Sequence, residues 1–162
     1  MRFCIKIYDD QRSKGRYLLH EHPWLATSWF MPEMDRLMKE EGVMRVRTDM
    51  CQFGMVSRVG GIGSATGCVL KFAGFLTHSS HIARELSRRC QRDHDHVPLV
   101  GGRAAAAAIY PHNLCCALRR GLAAQVKQDE RFGIDLQLSD SHGLKSLIAA
   151  CIEVTSAENN EK

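Results

Sequence analysis

Two short segments of this chain concentrate side chains able to do chemistry. The first is Leu19-His20-Glu21-His22-Pro23-Trp24-Leu25. Tyr17 to Leu19 read as the end of a buried strand, a carboxylate follows, and Pro23 bars regular continuation. A Glu at the C-terminal tip of a strand in an α/β sheet stands where such sheets take up ligands. It is a poor core residue, because burying a charge without a partner is costly. A Glu paired with a nearby Arg at a strand end fits the pattern equally well. His20 and His22 would share one side of the strand and Glu21 the other. Two imidazoles do not make a metal site, so the functional expectation is Glu21 as a hydrogen-bonding acid.

The second segment is Cys90-Gln91-Arg92-Asp93-His94-Asp95-His96. Cys90, His94 and His96 offer a thiolate and two imidazoles, donors that suit zinc, which takes four tetrahedral partners. His112, Cys115 or Cys116 would supply the fourth. The spacing matches no standard finger, and a polar loop with one buried cysteine is the plainer alternative. Gly60-Gly61-Ile62-Gly63 leads into a strand rather than a helix, so it reads as an inter-strand loop and not a phosphate cradle. Gly101-Gly102-Arg103 precedes five alanines, and Arg103 could meet a phosphate or a carboxylate.

The elements that must position these groups follow from periodicity. Residues 2–13 suit a helix with Phe3, Ile7 and Tyr8 on its apolar side, stopped at Gly15. Arg16 to His20 form a strand. Pro32 opens a helix carrying Met34, Leu37 and Met38 inward. Val43 to Thr48 alternate as a second strand, with Arg45 and Arg47 on one face, and Leu70 to Thr77 make a third. Ser79 or Ser80 caps a helix with Ile82, Ala83 and Leu86 inward. Residues 90–103 are irregular. Pro111 starts a helix to about Lys127, and a last amphipathic helix carries Leu144, Leu147, Ile148, Cys151 and Ile152. The tail from Thr155 is polar and expected to be disordered. Helices alternating with strands predict an α/β sheet. Three strands are few, and an opening helix without a strand before it suggests the back half of a larger sheet.

Composition sets outer bounds. A chain of 162 residues, 44% hydrophobic and 25% charged, is long enough for one globular core. Its net charge of +4, from 22 Lys+Arg against 18 Asp+Glu, is compatible with an anionic partner without specifying one. Seven cysteines without framework spacing argue for reduced thiols and an intracellular setting. No secretory segment is visible, and the apolar run from Ala104 to Tyr110 is too short to span a bilayer, so no membrane partner is expected.

At Glu21 the motifs fall into a recognisable order. Leu18-Leu19-His20-Glu21-His22-Pro23, then Thr48-Asp49-Met50-Cys51-Gln52-Phe53-Gly54, Gly74-Phe75-Leu76-Thr77 and Ile109-Tyr110-Pro111-His112-Asn113-Leu114-Cys115 resemble the second half of cytosine-5 DNA methyltransferase-like domains. Gly15-Arg16-Tyr17, Ser28-Trp29, His94-Asp95-His96 and Gly102-Arg103 add a closer similarity to such domains in the retrotransposon polyproteins of algae and fungi. The resemblance implies a partial Rossmann-like methyltransferase sheet over residues 1–127; the periodicity and composition beyond it add a helical segment over 128–154 and a disordered tail over 155–162. It assigns Glu21 to the pyrimidine edge of an extruded base, oriented by a cation from the 52–58 region or by Arg103. S-adenosylmethionine is implied for the complete family domain only. Lys71-Phe72-Ala73 and Thr77-His78 depart from the family's Lys-Pro-Thr and Thr-Asn, as in a drifted copy. The Gly-rich turn for the methyl donor and the Pro-Cys nucleophile loop are both missing, and none of the seven cysteines follows a proline. Methyl transfer needs that thiolate, so the chain alone is not expected to methylate.

Three expectations follow. One is a methyltransferase-like remnant from a mobile element, with Glu21 its surviving recognition residue. Another is a nucleic-acid-binding module in which Arg45, Arg47, Arg58 and Arg103 meet phosphates, helped by Arg84, Arg88, Arg89, Arg119 and Arg120. The last is a small zinc-stabilised domain. A missing N-terminal half, or a second copy of the chain, would cover the sheet's open edge.

Overall fold

The computed structural model describes residues 2–57, 67–100 and 107–132. Helix α1 spans Arg2–Ser13, strand β1 Leu19–Pro23, helix α2 Pro32–Met38 and strand β2 Met44–Asp49. A two-residue strand β3, Cys68–Val69, precedes β4, Phe72–Thr77. Helix α3 covers Ser80–Leu86, β5 is His96–Val97, and α4 runs from His112 to Arg131. The fold is mixed α and β. Among the described residues no helix is long and apolar enough to cross a membrane.

Three strands form one sheet in the order β1-β4-β2. β4 is antiparallel to both neighbours, with Phe75 opposite Glu21 on one side and opposite Val46 on the other. β1 and β2 therefore run in the same direction, joined through α2, with β4 inserted between them. A separate parallel pair joins β3 to β5. Because it is central, β4 is buried on both faces, and its run Phe72-Ala73-Gly74-Phe75-Leu76-Thr77 is almost wholly apolar.

Each face carries its own core. On one, Leu76 meets Leu18, Trp29, Met34, Leu37 and Ile5 beneath α1 and α2. On the other, Ala73 and Phe75 meet Met50, Phe53, Ile82, Leu86, Leu114 and Ala117 beneath α3 and α4. Pro32 opens α2 as expected, and the Ser79 hydroxyl accepts the Ile82 N–H to cap α3. Gly121 lets the last two helices touch: a Cβ there would stand 2.7 Å from the Ile82 Cα.

Several boundaries differ from the sequence reading. The first strand starts at Leu19 instead of Arg16, so Glu21 lies in the middle of β1 and not at its tip. The preceding residues are held elsewhere. Gly15, at φ 65°, turns the chain so that the Arg16 N–H bonds to the Gln11 carbonyl, and the Tyr17 hydroxyl donates to Asp129 on α4. Pro23 is tolerated as the last residue because β1 is an edge strand. The third strand is split at Leu70 and Lys71 into β3 and β4. On α1 the buried stripe is Ile5 with Tyr8, while Phe3 and Ile7 face outward. α4 continues past Lys127 to Arg131. The amphipathic segment at 144–152, the tail from 155, Arg58, Arg103 and nearly all of the glycine-rich stretch lie outside the described residues.

Candidate metal centre and the Glu21 cleft

Asp49 organises the corner where the second motif comes to rest. It ends β2 with its carboxylate buried. One oxygen accepts from Arg47 Nε at 3.0 Å, the other from the Cys90 backbone N–H at 2.9 Å. The Asp49 N–H bonds to the Arg88 carbonyl, and Thr48 Oγ1 donates to the Leu86 carbonyl at 2.6 Å. The chain leaving α3 is thereby laid along the end of β2. Immediately after Asp49 the backbone makes a 3₁₀ turn over Met50–Phe53, closed by Gly54 at φ 78°. That turn carries Cys51, only 7% exposed, toward Cys90.

The loop after Cys90 then folds back on the thiol. Arg92 takes φ 60°, and its N–H donates to Cys90 Sγ at 3.3 Å. His96 Nε2 lies 3.5 Å and His94 Nε2 3.8 Å from that sulfur. Asp93 Oδ1 lies 2.8 Å from His94 Nδ1 and accepts its N–H, which leaves Nε2 as the nitrogen turned toward the sulfur. One donor atom from each of Cys51, Cys90, His94 and His96 lies within 4.8 Å of all the others. Burial first, and the Cys90 thiol second, push the Cys51 thiol up to about 11. A metal entering here must displace its proton.

The structure thus brings Cys90, His94 and His96 together as the sequence suggested, but the fourth donor is Cys51, not His112, Cys115 or Cys116. His112 instead sits 3.2 Å from Cys116, one turn along α4. Cys51 and Cys90 are far apart in sequence, and the Asp49 anchor helps to make them neighbours. The signal available in sequence was the Asp49-Met50-Cys51 step at a strand end.

Glu21 lies on the other arm of the sheet. As expected, it faces away from His20 and His22, whose rings stack at 5.8 Å and both contact Trp29. The Tyr110 phenol is its neighbour: burial first, and the Glu21 carboxylate second, push the phenol pKa up. The Lys71 ammonium stands 5.1 Å over the Tyr110 ring. Tyr110 also lines a cavity of about 350 Å³ with Gly54, Met55, Val56, Ile109, Pro111 and His112. Among the described residues the group beside Glu21 is a phenol from the loop before α4; the cations expected there, Arg58 and Arg103, lie outside the described residues.

Arg45 and Arg47 are engaged within the fold. The Arg45 guanidinium lies 4.0 Å over Trp24 and 4.3 Å from the Trp29 ring, and it donates to the Trp24 carbonyl. Desolvation lowers its pKa. Arg47 stacks over Phe72 at 4.0 Å while bonding Asp49. One further polar cluster carries no local signal in the sequence: Ser79 donates to Gln125, Gln125 to Asp129, and Tyr17 to Asp129. Comparison with protein-family models, curated proteins and solved structures returned no match.

Proposed function

We propose that this chain is a methyltransferase-like domain reduced to recognition of an unpaired base in nucleic acid, without methyl transfer of its own. The observation that carries the reading is convergence. Glu21, Gly54-Met55 and Tyr110-Pro111 belong to three separate motifs of the resemblance, yet Tyr110 joins the carboxylate of the first to a cavity lined by the other two. A carboxylate beside an apolar cleft of this size can read the polar edge of one planar ring. The sheet adds support. Two parallel strands joined through a helix are the repeating unit of a doubly wound sheet, and mixed sheets of that class tolerate an antiparallel member. The partial Rossmann-like reading rests on that unit.

The nucleic-acid partner needs cations at its phosphates. Arg45 and Arg47 already hold other groups, so this role passes to Arg58 and Arg103. The cofactor left to the chain is zinc at the Cys51 corner, and S-adenosylmethionine belongs to the complete family domain. Its source in a mobile element and its intracellular setting are part of the same proposal.

The test is a titration of the full chain with short DNA duplexes, one fully paired and one with an unpaired cytosine. Tighter binding of the second is expected. Glu21→Gln should remove about tenfold of that preference, the value of one hydrogen bond to a charged group. Equal binding of both duplexes by both proteins would leave Glu21 a structural partner of Tyr110.

A further inference from the structure

We propose that Cys51, Cys90, His94 and His96 form a closed four-coordinate zinc centre, that both imidazoles bind through Nε2, and that this centre fastens the 88–97 segment to the end of β2. The proposal is independent of base recognition and deepens only the zinc clause of the reading above.

Geometry carries it. Zinc bonds of about 2.3 Å to sulfur and about 2.0 Å to nitrogen, at tetrahedral angles, set a thiolate and an imidazole nitrogen about 3.5 Å apart. The Cys90 sulfur is 3.5 Å from His96 Nε2 and 3.8 Å from His94 Nε2. Two edges of the tetrahedron therefore already have nearly the length that zinc requires. Both histidines present the same nitrogen, although they lie on an irregular loop and a two-residue strand. His94 is fixed in that role by the Asp93 carboxylate on its other nitrogen, the arrangement that orients metal-bound imidazoles elsewhere.

Chemistry selects the ion. Two thiolates with two imidazoles favour zinc over hard cations such as magnesium and calcium, which take oxygen. Four protein ligands leave no open position for water, so the centre is structural and not hydrolytic.

Location gives it work to do. Near the centre, β3 and β5 share only two residue pairs, Cys68 with His96 and Val69 with Val97. Such a short ladder does not hold itself together in water. Asp49 anchors the start of the segment at Cys90, and a metal at Cys51 would anchor the rest.

The test uses the full chain purified with zinc, then exchanged with cobalt(II). One metal ion per chain is expected, with the absorption of tetrahedral cobalt bound to two sulfurs. X-ray absorption of the native zinc form should show two sulfur and two nitrogen neighbours, a readout that needs no variant to fold. His94→Ala and His96→Ala should each weaken zinc binding at least 100-fold, while His112→Ala leaves it unchanged. Asp93→Asn should weaken it about tenfold with the ligand shell intact. No bound metal would overturn both this proposal and the zinc clause. Bound metal with one or three sulfurs, with a water in its shell, or lost on His112→Ala would overturn this proposal alone.

Discussion

The Trp29 face of the sheet and the Cys51 corner solve the problem of holding loops in opposite ways. On the Trp29 face, large side chains suffice. Trp29 is 1% exposed, its indole N–H donates to the Pro23 carbonyl, and Arg45, His20 and Gly74 all pack on its rings. At the Cys51 corner the loop of residues 90–96 offers no apolar side chain, and only the partly buried Val97 and Leu99 reach the core. In place of apolar area it concentrates polar partners: one buried carboxylate receiving three donors, and four potential metal ligands. The first region draws on the hydrophobic effect, which needs no cofactor. The second depends on a ligand, and its stability should follow that ligand's concentration.

Substitutions can separate the two. Trp29→Ala should cost about 4 kcal/mol in urea unfolding, the usual value for emptying a large aromatic site, while leaving metal content unchanged. Cys90→Ala should instead empty the metal site. In zinc-containing buffer it should lose about 3 kcal/mol, the mass-action value at free zinc well above its dissociation constant, and the tryptophan fluorescence of the folded chain should not move. Should Trp29→Ala also empty the metal site, or Cys90→Ala also shift the fluorescence, the regions are one cooperative unit and the contrast fails. Gly121→Ala tests the helix pair between them. Its Cβ meets backbone at Ile82 and His81, so overpacking of about 2 kcal/mol is expected.

Acid should weaken the Trp29 side. Burial lowers the pKa of His20, helped by His22, and burial likewise lowers that of His78, helped by Arg12. Their neutral forms are favoured in the fold, and His78 Nδ1 accepts the Leu18 N–H, which a protonated ring could not do. The unfolded chain therefore takes up protons first, and stability should fall as pH drops through the ordinary histidine value near 6.5. A flat urea midpoint between pH 7.5 and about 5.5 would contradict this. The smallest effect is expected at Tyr110→Phe, about 1 kcal/mol, for a hydrogen bond to Glu21 at the margin of a cavity.

Local signals made much of the architecture legible. Pro32, Ser79, the Ile82-Ala83-Leu86 face and buried Leu114 all stand where their neighbours in sequence put them. What escaped was decided at a distance. On α1 both Phe3-Ile7 and Ile5-Tyr8 are legitimate helical stripes, and only the position of α2 selects the second. β1 is shifted because Tyr17 reaches Asp129 across the whole domain. At the site, Cys90, His94 and His96 are local and were visible. Cys51 is not, because the hydrogen bonds of Asp49 that carry Cys90 to it are made only once β2 and α3 have packed. Glu21 was visible as a residue, but the phenol beside it comes from a loop far away in sequence.

Hydrogen exchange on the full chain, with zinc and after chelation, tests most directly the claim that a metal holds one corner while packing holds the rest. With zinc, amides of residues 88–97 should be protected. After chelation that protection should be lost while amides of β4, residues 72–77, keep theirs. Equal protection of 88–97 with and without zinc would contradict the claim, as would joint loss of protection across both segments.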